Sequence, residues 1–307
     1  MKQGGSDARL LDYENDKVIK LQTFKSEEEF KKSQLYSQYI WINGMYNLYK
    51  NIVPKIHSIV KFNDEYGYIM DKFNVDYHST KSTSFVDNLT KMINAFKDVP
   101  LKETFRFSTY CNRVLTHLQL LYQDEFLINI KEIRIGNRTV KNVTNLYGPN
   151  DIFMILKQYE SKLFPEQSYC HGDFTLENTL KTHNNEIKII DPNFVNGIWN
   201  SWMLDISKLM QSTHYNYEGL FNKDNMHYVI NNGMMFVNFD GDALFIKSKY
   251  DSYNMLCSKY DKYFKQLLML EFTHYIRMLK YKRKVSFNEY LKAFVVMNLV
   301  YDDYLKR

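Results

Sequence analysis

The chain has 307 residues, 45% hydrophobic and 24% charged, which is ordinary globular usage and excludes wholesale disorder. Its formal charge of +5 is scattered rather than gathered into a stripe, so no nucleic-acid partner is expected; the one dense run, Lys280 to Lys284, reads as a solvated helix end. Cys111, Cys170 and Cys257 lack CxxC spacing, which argues against a disulfide framework or zinc site and fits a reducing compartment.

The N-terminus has no apolar signal core, and no apolar run reaches the ~18 residues of a membrane span, so a soluble cytoplasmic protein is expected. Gly4-Gly5-Ser6 is a turn signal. Ala8 to Tyr13 and Val18 to Leu21 read as short strands around the polar turn Glu14-Asn15-Asp16. Ser26 caps a helix whose first turn holds Glu27, Glu28 and Glu29, where the dipole favours acids. Apolar positions from Phe30 to Leu48 continue that helix, which ends before Pro54. Ile56 to Phe62 and Tyr66 to Met70 form a hairpin across Asn63-Asp64-Glu65, and Asp71-Lys72-Phe73 follows as a connector.

From Ser84 the pattern turns helical, over Ser84–Lys97, Leu101–Gln123 and Asn150–Phe164. Thr179 to Lys181 and Ile187 to Ile190 read as a second short hairpin around His183-Asn184-Asn185. Helical segments return at Trp202–Ser212, Ser252–Lys280 and Ser286–Lys306. The expected outline is a small strand-rich lobe over residues 1–73 and a larger helical lobe over 74–307.

The chemistry is concentrated in one rhythm: Asp173, then Asn178 five residues on, then Asp191 thirteen further. The intervening hairpin brings Asn178 and Asp191 to the same end. A carboxylate and an amide oxygen are hard ligands that suit Mg²⁺. Phosphoryl transfer asks little covalent chemistry of a protein; it needs metal across the phosphates and a group that orients the attacking hydroxyl. Asp173 is placed to accept that hydroxyl's proton. The remaining histidines show no HxH or HxxxH spacing.

His171-Gly172-Asp173-x-x-x-x-Asn178, followed by Ile190-Asp191-Pro192, resembles the catalytic segment of the aminoglycoside phosphotransferase and choline kinase superfamily. The resemblance implies an α+β, protein-kinase-like two-lobe fold. It implies transfer of the γ-phosphate of ATP (or GTP), with Mg²⁺, to a hydroxyl of a small molecule. It assigns Asp173 as base, Asn178 and Asp191 as Mg²⁺ ligands, and His171 as support for the loop. Asp191-Pro192-Asn193 stands where protein kinases carry Asp-Phe-Gly, and the stretch to the next helix leaves no room for a long activation segment; both count against a protein kinase.

Trp202 to Leu209 is similar to the superfamily's following helix, which makes Asp205 a second loop support and leaves Lys208 either to pair with it or to face substrate. The Leu-Asp-x-x-Lys-Leu pattern is closest in flavour to phosphotransferases of surface-polysaccharide loci, hence a sugar or polysaccharide precursor as acceptor. Val18 to Leu21 resembles the strand carrying the phosphate-contacting lysine, here Lys20. Gly4, Gly5 and Ser6 resemble a shortened turn over the phosphates, and Met70, Asp71 and Phe73 the hinge that holds the base. The partner of Lys20 stays open between Glu27–Glu29 and Gln38. Glu271, His274 and Arg277, on successive turns, are candidates to line the acceptor pocket. A nucleotide-binding pseudokinase without turnover is the rival reading, motivated by the short glycine turn and the lack of an obvious carboxylate partner for Lys20.

Overall fold

The computed structural model describes residues 8–14, 16–73, 82–101, 103–194, 198–221 and 224–307. In chain order the elements are β1 (Arg9–Tyr13), β2 (Lys17–Thr23), α1 (Glu27–Lys31), α2 (Gln34–Leu48), β3 (Ile56–Phe62), β4 (Glu65–Asp71), α3 (Thr83–Lys97), α4 (Phe107–Tyr122) and α5 (Glu125–Ile128). Then come β5 (Glu132–Ile135), β6 (Arg138–Lys141), α6 (Val143–Leu146), α7 (Pro149–Lys157), α8 (Glu160–Leu163), β7 (Thr179–Lys181) and β8 (Ile187–Ile189). The chain closes with α9 (Trp202–His214), α10 (Tyr217–Leu220), β9 (Met226–Asn231), β10 (Met234–Phe239), α11 (Lys247–Lys259), α12 (Phe264–Val285) and α13 (Phe287–Leu305). They group into two compact units, Met1–Thr80 with His171–Asn196, and Lys81–Cys170 with Gly197–Arg307.

The first unit is built on an antiparallel sheet in the order β1-β2-β4-β3. Alternation along β2 turns Ile19 and Leu21 toward Ile69 in a small apolar cluster. The helix expected from Ser26 to Pro54 is two helices. Ser26 does cap the first, accepting from the Glu29 amide at 3.2 Å, but Ser33 caps a second by accepting from Tyr36 at 3.1 Å. A second capping serine offers the chain a fresh helix start that the apolar periodicity hides. The β7–β8 hairpin belongs to this unit, tied on by the Ile189 amide donating to the Ile52 carbonyl at 2.8 Å.

The second unit holds the long helices, with α12 and α13 packed lengthwise as its apolar centre. It also carries a four-stranded sheet, β6-β5-β10-β9, that the sequence reading did not anticipate. The predicted Ser252–Lys280 helix is α11 and α12, separated by a 3-10 turn at Asp261–Tyr263.

Buried polar groups tie this unit together. The His214 ring stacks on Tyr253 with centroids 3.9 Å apart, its Nδ1 lies 3.1 Å from Glu271 Oε2, and its Nε2 lies 3.4 Å from Asp303 Oδ2. Arg138 of β6 completes the set through Asp302 and Asp303. Burial alone would lower the His214 pKa, yet the two carboxylates outweigh it and raise it; burial raises Glu271. Both directions mean that the folded pair holds a proton which the unfolded chain releases. The His214 share of that stabilisation is complete below the ordinary histidine value of 6.5 and is lost as pH rises through the raised folded value, while the Glu271 share begins to fall at its ordinary value of 4.5. Urea midpoints should therefore fall as pH rises from 6.5 through the raised His214 value, and His214→Gln should flatten the slope. A midpoint that does not move over this window would contradict the proton-holding pair.

Candidate active site

The strand geometry of the first unit places Lys20. On β2 it is paired in register with Tyr68 of β4, and its side chain lies almost wholly inside, 2% exposed. Gly67 permits the close strand approach, since a Cβ there would stand 1.8 Å from the Lys20 carbonyl oxygen. A buried ammonium requires oxygen partners. Lys20 Nζ donates to Asp191 Oδ1 at 2.6 Å and to Gln38 Oε1 at 3.0 Å. The open question of its helix partner is thus answered by Gln38, on α2. The three glutamates are engaged elsewhere: Glu27 with Lys31, Glu28 with Lys32, and Glu29 with the Lys25 amide.

The loop before β7 is assembled on its own backbone. His171 is fully buried, and its ring meets Trp41 and Phe174 edge-on at 5.3 and 5.5 Å. Its Nδ1 accepts from the Asp173 amide at 3.3 Å, so Nε2 carries the proton and donates to the Ile190 carbonyl at 2.9 Å. Burial pushes its pKa down to about 4, which keeps the ring neutral near pH 7. A neutral ring with both nitrogens spent on backbone is placed as a spacer between the two loops.

Asn178 Nδ2 donates to the Asp173 carbonyl at 2.8 Å and to Asp173 Oδ2 at 3.1 Å, which fixes the amide's orientation and sends Oδ1 the other way. The Ile190 amide donates to the Asn178 carbonyl at 3.0 Å, and Thr179 pairs with Ile189, so the hairpin sets Asn178 beside the start of the Asp191 loop. Asp191 itself has φ of 56°, a left-handed conformation uncommon for aspartate that marks a position held by its surroundings.

Gly172 is the other constrained position, with φ of 82° and a notional Cβ only 2.4 Å from the Asn193 carbonyl oxygen. The Asn193 amide also donates to the His171 carbonyl at 2.7 Å. Gly172→Ala should cost about 1–3 kcal/mol, because it needs both a strained φ and separation of the two loops. Chemical denaturation measures this, and a wild-type midpoint would show that the loops part freely.

The structure thus brings Lys20, His171, Asp173, Asn178 and Asp191 into one connected set within the first unit. Met70 is buried at the end of β4; the Asp71 amide donates to the Lys55 carbonyl at 3.1 Å, and its carboxylate accepts from the Lys55 amide and meets His57 Nε2 at 2.8 Å. Phe73 is half-buried under Lys188 Nζ, 5.3 Å from the ring centroid. Gly4, Gly5 and Ser6 lie outside the described residues. Asp205 is fully buried in the first turn of α9, in the second unit. Of the pocket candidates, Glu271 is taken up by His214, and His274 Nε2 lies 2.7 Å from Ser207 Oγ.

Tyr68 was not singled out by sequence. Its hydroxyl is fully buried, and burial followed by the Asp191 charge drives its pKa well above 10. The signal that finds it is strand register, since Tyr68 is opposite Lys20.

Among the described residues no cluster of three or more His, Cys, Asp or Glu side chains is set to hold a metal. One carboxylate and one amide oxygen suit an ion that keeps most of its waters, as Mg²⁺ does. Asp191 fits that demand, as its side chain remains 30% exposed beside the buried Lys20. Asn178 fits because its amide nitrogen alone is used by the loop.

No protein-family model matches the sequence, and no curated protein matches it. Solved structures do match in shape. A protein described as a candidate fructosamine-3-kinase from Haemophilus somnus 129PT shares 13% identity over 97% of this chain and 89% of that one, with a TM-score of 0.58. LicA, solved in complex with AMP, shares 13% identity over 97% of this chain and 90% of its own, with a TM-score of 0.53. No helix among the described residues is long and apolar enough to cross a membrane. The strand-rich N-terminal region, the helical C-terminal region and these likenesses together show that this chain has a protein-kinase-like fold.

Proposed function

We propose that this protein transfers the γ-phosphate of ATP to a hydroxyl group of a small molecule. The observation that carries this reading is the buried Lys20–Asp191 pair at 2.6 Å, beside an Asn178 whose amide is locked to Asp173. Lys20 supplies a fixed positive charge for phosphate oxygens. Asp173 orients the acceptor hydroxyl and takes its proton. Asp191 and Asn178 Oδ1 would hold Mg²⁺, which neutralises charge on the phosphates when bound. The neutral His171 and buried Asp205 support the loop, and the backbone of Met70, Asp71 and Phe73 would hold the nucleotide base. The proposed lobes divide at residue 73, and the acceptor is a sugar or polysaccharide precursor, following the Leu204-Asp205-x-x-Lys208-Leu209 pattern.

The test is ATP and GTP turnover with Mg²⁺ over a panel of sugar alcohols, amino alcohols and glycosides. The reading expects acceptor-dependent ADP formation, and it is abandoned if no acceptor raises turnover above the hydrolytic background. A second reading, nucleotide binding without transfer, is favoured by one observation: the helix partner of Lys20 is the Gln38 amide rather than a carboxylate. Thermal stabilisation by ATP–Mg²⁺ with no turnover on any acceptor would carry that reading instead.

A further inference from the structure

Lys20, Lys249 and Lys292 are each no more than 4% exposed. Lys249 meets Glu218 at 2.5 Å and Lys292 meets Glu289 at 2.9 Å, and both of those acids are largely shielded themselves. Lys20 is different. Its only acid among the described residues is Asp191, whose side chain is 30% exposed and which is the candidate metal ligand.

The second partner of Lys20 is neutral. Gln38 lies inside on α2, and its Oε1 accepts from Lys20 Nζ at 3.0 Å. An ammonium only donates, so this bond fixes which way the amide is turned. The hydroxyl of the buried Tyr68 lies 3.5 Å from the same oxygen, and Tyr68 is paired in register with Lys20. Among the described residues no second carboxylate holds the ammonium when Asp191 is drawn away. The charges of Lys20 and Asp191 cancel. A divalent cation on Asp191 alone puts two positive centres around one carboxylate, with the ammonium still held inside the sheet, and that is opposed. A polyphosphate on Lys20 supplies negative charge and releases Asp191, so each ligand favours the other, and by linkage the effect is reciprocal.

We propose that Gln38 is a positioning residue whose neutrality makes the buried Lys20 depend on an arriving polyphosphate, so that nucleotide and Mg²⁺ load together and the metal does not load first. The inference rests on the phosphotransfer reading, in which Lys20 meets phosphate and Asp191 meets the metal. It gives the amide a task of its own, where the rival reading treats it as a carboxylate lost. A glutamate at this position would hold Lys20 after Asp191 had gone to the metal, so the metal could load alone. The same glutamate would repel an incoming polyphosphate. One substitution should therefore move the two affinities in opposite directions.

Isothermal titration of the full chain and of Gln38→Glu tests it, with MgCl₂ alone, ATP in EDTA, and ATP with Mg²⁺ as separate arms at constant ionic strength. Gln38→Glu is expected to bind metal-free ATP at least about tenfold more weakly than the wild type, and Mg²⁺ alone at least about tenfold more tightly. A merely structural role would weaken both ligands together or leave both unchanged, and either result overturns the inference. So does metal-free ATP bound by Gln38→Glu as tightly as by the wild type, or more tightly, since the amide would then be only a poorer partner. Gln38→Met stays neutral and should keep the wild-type preference; if it behaves as Gln38→Glu does, charge is not the cause and the inference falls. Should Gln38→Glu fail to fold by circular dichroism, the wild type decides. Mg²⁺ bound alone with Kd of about 1 mM or tighter, beside metal-free ATP that does not bind, overturns the loading order. A wild type that binds ATP in neither arm overturns the phosphotransfer reading along with the inference, whereas every other adverse result removes the inference alone.

Discussion

Asp191→Ala is expected to abolish phosphoryl transfer, lowering kcat by about 10³-fold or more, and to destabilise the protein as well. The two losses have separate causes. Removing the carboxylate takes away the proposed metal ligand, and it also leaves Lys20, 2% exposed, with only the Gln38 amide oxygen. Breaking a fully buried pair costs about 3–5 kcal/mol; because Asp191 is 30% exposed, solvent screens part of that. The left-handed backbone adds to the cost, since alanine tolerates φ of 56° less well than aspartate or asparagine. Asp191→Asn separates the effects. It keeps an oxygen for Lys20 and tolerates the backbone, so its unfolding midpoint should lie well above that of Asp191→Ala while transfer remains lost. Full activity in Asp191→Asn would remove this residue from the metal role.

Asp173→Asn tests the other half. The side chain stays isosteric while losing its charge and its capacity to take a proton, so kcat should drop about 10²–10⁴-fold with little change in KM for ATP. Asp173→Ala is the less clean variant. It also frees Asn178 Nδ2, whose 3.1 Å bond to the carboxylate helps fix the amide, and so should raise the Mg²⁺ requirement as well. Equal kcat in wild type and Asp173→Asn, measured at saturating ATP and acceptor, would show that the acceptor proton leaves by another route.

The parts of the site set by local spacing were legible in sequence. Asp173, Asn178 and Asp191 are separated by a loop and one hairpin, and a short hairpin leaves little freedom in where its ends lie. Gln38 was legible as a position on the helix, but not as the residue that bonds Lys20, because that depends on how α2 lies against β2. Tyr68 needed the β2–β4 register. The second sheet was missed for a different reason. Its hairpin turn, Asn232-Gly233, is a strong local signal, with both residues at positive φ. The sheet, however, exists only because β10 pairs in parallel with β5, about a hundred residues earlier, and no short window contains that pairing. The break at Ser33 shows the opposite limit, where one hydroxyl outweighs an unbroken apolar rhythm.

The first unit is discontinuous, and this sets a timetable for biosynthesis. Lys20 and Asp191 lie 171 residues apart in the chain, and the Ile189–Ile52 and His171–Trp41 contacts bridge 137 and 130 residues. A ribosome adding about 5–20 residues per second leaves Lys20 without its carboxylate for roughly 10–30 s after it is made. During that interval the N-terminal sheet contains the lysine but not the acid that satisfies it. The nascent sheet therefore waits on the hairpin, and the unit that carries the candidate site closes only after the chain between its two segments has been synthesised.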